Sequence, residues 1–335
     1  MDKEKFSVLT RRDFIKGSAL GLIFLPVLNC ESLLKEGAEK KAKVALVKTQ
    51  DRRHGVNTVL KIMDFAPLKD KKVVIKPNFN TSDATPGSTH NDTLSQLIRE
   101  LYNRGASGIT IGERSGPPPT KQVMEDKGIF ELARDMEVNI INYEELEEKD
   151  WVHFNPQGIH WENGFYIPRA AVEAEYFVST CCLKTHGAGG VFTMSLKLAV
   201  GLTPKRLMRE LHGARDTHMR RMIAEINLGY KPDLIVLDGI EAFVDRGPSR
   251  GTMKRGDVFI GGTDRIAVDA VGLAVLKELG SNDAIMNSKI FEQEQIERAV
   301  ELGLGISKPD QIEFVTPDEP SEIYAEKLRM ILAKG

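Results

Sequence analysis

The densest run of chemistry-bearing residues is Lys184-Thr185-His186, followed at once by Gly187-Ala188-Gly189-Gly190 and, farther on, by Ser195 and Lys197. An amine and an imidazole can bind an anion and move protons, while glycines let the backbone approach a ligand and present N–H groups to it. The theme returns in Lys76-Pro77-Asn78-Phe79-Asn80, Glu113-Arg114-Ser115-Gly116, Asp238-Gly239 and Gly261-Gly262-Thr263-Asp264, with Arg250 and Asp269 beside the last two. We assign Lys184, His186 and Glu113 as catalytic candidates. Lys76, Asn78, Arg114, Lys197, Asp238, Arg250, Thr263, Asp264 and Asp269 are the ligand-binding candidates. Buried ions must pair with each other or with a ligand, so this cation-rich set implies an anionic small molecule as partner.

Other chemistries find less support. No Gly-Lys-Ser or Gly-Lys-Thr closes a glycine loop and no Gly-x-Gly-x-x-Gly opens a βα unit, which argues against a nucleotide triphosphatase or a dinucleotide fold. His90, His186, His212 and His218, with Glu113, Asp238 or Asp264, are the available metal ligands, but they lack the His-Glu-x-x-His spacing of zinc hydrolases. His212 and His218 would face different directions on one continuous helix. The metal and the cofactor are thus unknown from sequence. Cys181 and Cys182 fall inside an apolar run and read as small buried residues, the alternative being a thiol activated by Lys184 and His186. With Cys30 they are the only cysteines of the chain: there is no disulfide framework and no iron-sulfur cluster motif. The formal net charge of −2 offers no basic surface for nucleic acid.

The elements that must position these residues read as α/β. Apolar runs alternate with amphipathic stretches, which predicts a mostly parallel sheet flanked by helices, either compact or bilobed. Strands are expected at 44–48, 73–76, 108–112, 138–142, 176–183, 234–237 and 258–261. Their near-continuous apolar character implies burial on both faces. Helices are expected after an Asp92 cap, and over 206–227, 266–279, 290–302 and 321–333. Residues 144–170 lack clean periodicity and read as a hairpin or small subdomain. In such sheets ligands bind beyond the carboxyl ends of parallel strands, so all five polar segments are expected to meet at one edge.

The first thirty residues carry Thr10-Arg11-Arg12-Asp13-Phe14-Ile15-Lys16 and then an apolar run from Gly17 to Leu28. This resembles a twin-arginine signal, which implies the twin-arginine export machinery as a partner and a periplasmic or membrane-tethered location outside the cytoplasmic membrane. The apolar run is short for a membrane span. Cys30 stands where a lipoprotein signal places its acylated cysteine, so a lipid anchor is the associated expectation. Residues 31–43 then read as a tether and 44–335 as a single domain.

The motif set resembles the bacterial and archaeal family catalogued as domain of unknown function 362. The likeness rests on Ile75-Lys76-Pro77-Asn78, Gly112-Glu113, Leu183-Lys184-Thr185-His186 with Gly190 and Leu196-Lys197, and Asp238-Gly239-Ile240. Gly247-Pro248-Ser249-Arg250-Gly251 and Gly262-Thr263-Asp264 through Val268-Asp269-Ala270 complete it. Similar proteins often carry ferredoxin-like cysteine motifs, absent here, and tend to place Asn where this chain has Leu198. The expected function is an enzyme acting on an anionic small molecule at a Lys/His/carboxylate site, redox and cofactor-linked chemistry included. The alternative is a tethered ligand-binding protein or cofactor carrier without turnover. Replacing Cys181 and Cys182 by alanine is expected to leave function intact; a folded but inactive variant would promote the thiol.

Overall fold

The computed structural model describes residues 41–335; the signal motif and Cys30 lie outside them. Ala42 and Lys43, at the end of the expected tether, already belong to a strand. Twelve strands are present among the described residues: β1 Ala42–Lys48, β2 Lys72–Lys76, β3 Gly108–Glu113, β4 Asn139–Asn142, β5 Trp151–Phe154, β6 Phe165–Pro168, β7 Tyr176–His186, β8 Val191–Thr193, β9 Leu234–Phe243, β10 Met253–Arg255, β11 Val258–Gly262 and β12 Ile312–Val315. Ten of them form one sheet of order β12-β1-β11-β9-β7-β2-β3-β4, with β10 on β9 and β8 on β7.

The apolar strands are apolar because the sheet is covered twice. Along β1, Ala45 and Val47 join the core beneath helices Arg52–Ile62 and Asn91–Asn103, whereas Val44 and Leu46 join the core beneath helices Arg265–Leu279 and Glu319–Lys334. That alternation is the period of two that a pleated strand imposes. A third apolar cluster combines Val74 and Phe177 of the sheet with Trp151, Phe165 and Ile167 of the separate β5–β6 hairpin and with Met219 and Ile223 of helix Met219–Ile226. Residues 144–170, unresolved by periodicity, thus supply the hairpin that shields this end. The described residues belong to one compact unit, and no helix among them is long and apolar enough to cross a membrane.

Five features differ from expectation. The Asn91–Asn103 helix is capped by His90, whose Nδ1 accepts from Asp92 N at 3.0 Å, rather than by Asp92. The helix expected over 206–227 breaks into Lys205–Leu207, Met208–Gly213 and Met219–Ile226, and the stretch from 290 begins with a separate turn at Ile290–Glu292. β9 and β7 run past their expected ends, so Asp238 sits inside a strand instead of beyond it. β11 pairs antiparallel with both β1 and β9. It therefore delivers Gly262, Thr263 and Asp264 to the edge opposite the carboxyl ends of β2, β3, β7 and β9, which run parallel.

The Gly112-Glu113 motif has a packing explanation. A Cβ on Gly112 would overlap the Tyr143 hydroxyl, which is fully buried. Gly112→Ala is therefore expected to destabilise the domain by about 1–3 kcal/mol through overpacking, read as a lowered urea midpoint. An unchanged midpoint would show that Tyr143 swings aside freely.

Candidate functional site

The parallel strands β2 and β3 end side by side, and their last residues, Lys76 and Glu113, form a buried ion pair. Lys76 Nζ also donates to Pro77 O at 2.7 Å. The Glu113 carboxylate accepts from Phe79 N and from Arg114 N, each at 2.8 Å. Burial pushes the Lys76 amine down and the Glu113 carboxyl up, and the contact between them opposes both shifts. Both carboxylate oxygens are engaged and the ammonium has two partners, so the pair ties the Glu113 carboxylate to the two loops that leave these strands. Gly201 lies against the pair: a Cβ there would stand 2.7 Å from Lys76 Nζ and 3.0 Å from Glu113 Oε1.

Above this pair opens a cavity of about 540 Å³. Six predicted residues line it: Lys76, Asn78, Glu113, Arg114, His186 and Lys197. Arg114 is buried and spends its guanidinium on the carbonyls of Thr203, Ser115 and Val200. Burial lowers it to about 10, and no carboxylate forms a salt bridge with it among the described residues. Its charge at the wall is answered only from a distance, by Glu113 and Glu144, each of which is paired with a lysine.

His186 ends β7, whose partner β8 returns antiparallel through the glycine run, pairing Lys184 with Thr193 and His186 with Val191. The run is thus a hairpin turn, and its first N–H groups are already engaged: Gly187 N donates to Arg246 O and Ala188 N to His186 Nδ1. The latter contact, at 3.3 Å, is the one made by the tautomer that carries its proton on Nε2. Burial, then Lys197, Lys184 and His212, push His186 down to about 2. It is consequently a neutral imidazole at ordinary pH, a hydrogen-bond donor and a poor base. Val191, at the turn exit, sits at φ 60, strained for a β-branched residue, where Gln295 Nε2 holds the neighbouring Gly190 O at 2.8 Å.

Lys197 rides on the short turn Ser195–Leu198, whose first N–H groups are bound by Asp269, from Ser195 N at 2.8 Å and Leu196 N at 2.9 Å. Burial raises the Asp269 carboxyl to about 7 against those two donors. Lys197 is 9% exposed, and no hydrogen bond or ion pair engages its Nζ among the described residues. Burial first, then Lys184 and Arg114, push its amine down to about 7. Lys197 and His186 converge on Gly190, where a Cβ would lie 2.6 Å from Lys197 Cε and 3.1 Å from His186 Nδ1.

The other predicted residues divide by distance from the cavity. Lys184 is buried behind it, donating from Nζ to Gly87 O at 2.5 Å, with its amine lowered by burial to about 8. Asp238 points to the helical face, where Arg52 Nε and Thr93 Oγ1 donate to it at 2.8 and 2.9 Å. Asp264 caps the Arg265–Leu279 helix and Thr263 is exposed beside it, both at the opposite edge. Arg250 is exposed outside the cavity, although its neighbours Pro248 and Ser249 reach the rim. Cys181 and Cys182 are buried, and burial pushes Cys182 up to about 11 and Cys181 well above the ordinary thiol value, which disfavours both as nucleophiles at neutral pH. Sequence reasoning missed Thr193 and Lys205 in the lining, and offered His212 only as a metal ligand. The glycine run at Gly187–Gly190 was the clue to Thr193; nothing in sequence marked Lys205. Among the described residues no three His, Cys, Asp or Glu side chains converge to hold a metal ion.

Lys197 leaves a signature in stability. Between about 7 and the ordinary lysine value of 10.5 the unfolded chain holds this proton and the folded chain does not, so its contribution rises with pH across that window and is least favourable below it. Lys197→Met is expected to raise the melting temperature by a few degrees at pH 6, with the gain vanishing near pH 10. A gain independent of pH would refute the buried amine.

A family model described as a domain of unknown function (DUF362) matches residues 73–274. The thylakoid-associated protein sll1697 of Synechocystis sp. is 22% identical over 216 residues, 62% of this chain and 63% of that protein, so the match spans less than two thirds of that relative. Among solved structures, the lactate racemase apoprotein of Thermoanaerobacterium thermosaccharolyticum gives a TM-score of 0.44 at 13% identity, with 85% of each chain covered. A protein from Thermotoga maritima gives 0.44 at 13%, covering 75% of this chain and 59% of that one. At that level neither likeness carries over an activity.

Proposed function

The chain belongs to the family described as domain of unknown function (DUF362), a description that names no activity, and from that premise we propose that the cavity is the active site of an enzyme acting on an anionic small molecule. The observation that carries this reading is the partnerless Lys197 amine beside a neutral His186, in a cavity where Arg114 lacks a carboxylate partner. Glu113 is committed to Lys76 and Glu144 to Lys205 at 2.6 Å, so a ligand's negative charge is what the remaining cations lack. Asn78 Oδ1 and Thr193 Oγ1 add buried polar atoms without a partner, both on cavity-lining residues. Unsatisfied buried polar groups cost about 1–3 kcal/mol each, a cost a bound ligand removes.

In this reading His186 orients and polarises through Nε2–H, as a neutral imidazole does when burial forbids its cation. Lys197 alternates between charged and neutral near pH 7, which suits an acid–base or nucleophilic role. Lys76, Glu113 and Asp269 fix the surrounding backbone. Leu198 presents an apolar surface where relatives tend to place a polar one, so this chain relies on Asn78 and Thr193 for neutral hydrogen bonding. Export belongs to the same proposal, supported by Arg11-Arg12 and the apolar run that follows, with a lipid at Cys30 as its tethered form.

Titration calorimetry with inorganic phosphate and with acetate tests the site. Binding is expected to weaken as pH rises through about 7 and 8, because Lys197 and Lys184 lose their charges there. His186→Ala is expected to keep its circular dichroism spectrum and to bind on the order of tenfold more weakly, a change of about 1.4 kcal/mol. Failure of both anions to bind the native protein would refute the reading.

A further inference from the structure

Three lysines line the cavity, and two of them are occupied. Lys76 is paired with Glu113, and Lys205 with Glu144 and Pro118 O, the latter at 3.0 Å. Lys197 alone keeps its nitrogen uncommitted. Its backbone is held by the two hydrogen bonds to Asp269, its stem is packed on Gly190, and the His186 ring shares that contact. The arrangement suits a nucleophile better than a simple counter-ion: an ammonium meant only to hold an anion gains from an exposed, fully charged position, whereas burial between Lys184 and Arg114 favours the neutral amine.

We propose that Lys197 is a covalent capture site, its Nζ condensing with the carbonyl of an aldehyde or ketone that also carries a carboxylate or phosphate. This rests on the anion-site reading above and adds the substrate class. The nitrogen lone pair forms a bond to the carbonyl carbon, and the C=O electron pair moves to oxygen. The carbinolamine then loses that oxygen as water, which carries away the two protons given up by the amine, and a C=N bond remains. No oxidant or reductant enters the step. His186 Nε2–H is the donor available to the carbonyl oxygen as charge develops on it. Asn78 Oδ1 and Thr193 Oγ1, both buried and unpartnered, are acceptors for the carbinolamine hydroxyl and the departing water. The Arg114 guanidinium, held by main-chain carbonyls and without a carboxylate in direct contact among the described residues, attracts the carboxylate or phosphate.

The test uses the full chain with pyruvate or with glycolaldehyde phosphate, each in the presence of cyanoborohydride, which reduces a C=N bond to a stable amine. Intact mass and peptide mapping are expected to show one adduct, at Lys197, formed at pH 7 at least about tenfold faster than at any exposed lysine, because a far larger fraction of this amine is neutral there. Its rate should level off above about pH 7, whereas exposed lysines continue to gain reactivity with pH. Lys197→Arg should abolish the adduct. Labelling by pyruvate alone would identify a carboxylate ligand, and by glycolaldehyde phosphate alone a phosphate. Adducts scattered over exposed lysines, without enrichment at Lys197, would overturn the proposal. If phosphate or acetate binds in calorimetry while Lys197 stays unlabelled, the carbonyl inference falls and the anion site stands; if nothing binds and nothing labels, both fall.

Discussion

The Lys76–Glu113 pair is the constraint around which the rest of the site is arranged. It closes the carboxyl ends of two adjacent parallel strands, at a point where both chains must leave the sheet and where backbone N–H groups would otherwise lack acceptors. By accepting from Phe79 and Arg114, Glu113 sets the direction in which both loops depart. Removing one member of such a pair strands the other, at a cost of about 3–5 kcal/mol. The glycine at 201 follows from the same contact, since no side chain fits between that turn and the pair.

Once that carboxylate is committed, the charge balance of the cavity is decided. Lys184 and Arg114 lie close enough to depress Lys197, and the carboxylates that act on those two cations, Glu113 among them, do so without a direct salt bridge to either among the described residues. The protein meets the cost in two ways. It satisfies Arg114 and Lys184 with main-chain oxygens, and it lets Lys197 and His186 fall to pKa values where they need not be charged. A site of neutral nitrogen groups among cations follows from burial and from those neighbouring charges, before any ligand is considered. The same burial disfavours the two cysteines as nucleophiles at neutral pH.

Much of this was legible in the chain. All seven expected strands exist, because continuous apolar runs of that length have few other solutions, and the loops after β2, β3 and β7 do carry cavity residues. The family resemblance was legible in the motifs from Lys76 to Asp269, and the matched span 73–274 contains them. Less legible was what each motif residue does. Asp238 looked like Glu113 as a carboxylate near a strand end, yet one is an interior strand residue tied to helix Arg52–Ile62 and the other anchors the cavity.

Local pattern by itself determined the α/β class, the double burial of the sheet and the concentration of Lys, His and Gly at strand ends, because these depend on period and residue type over short windows. Only the tertiary structure decided strand direction and extent. The reversal of β11 sends Thr263 and Asp264 to the far edge, and the extension of β9 turns Asp238 inward, neither of which leaves a mark in periodicity, since an apolar run reads the same in either direction. The protonation of Lys197 and His186 was likewise beyond the sequence. It is set by desolvation and by charges brought together from β3, β7 and the 195–198 turn, a sum over neighbours in space rather than along the chain.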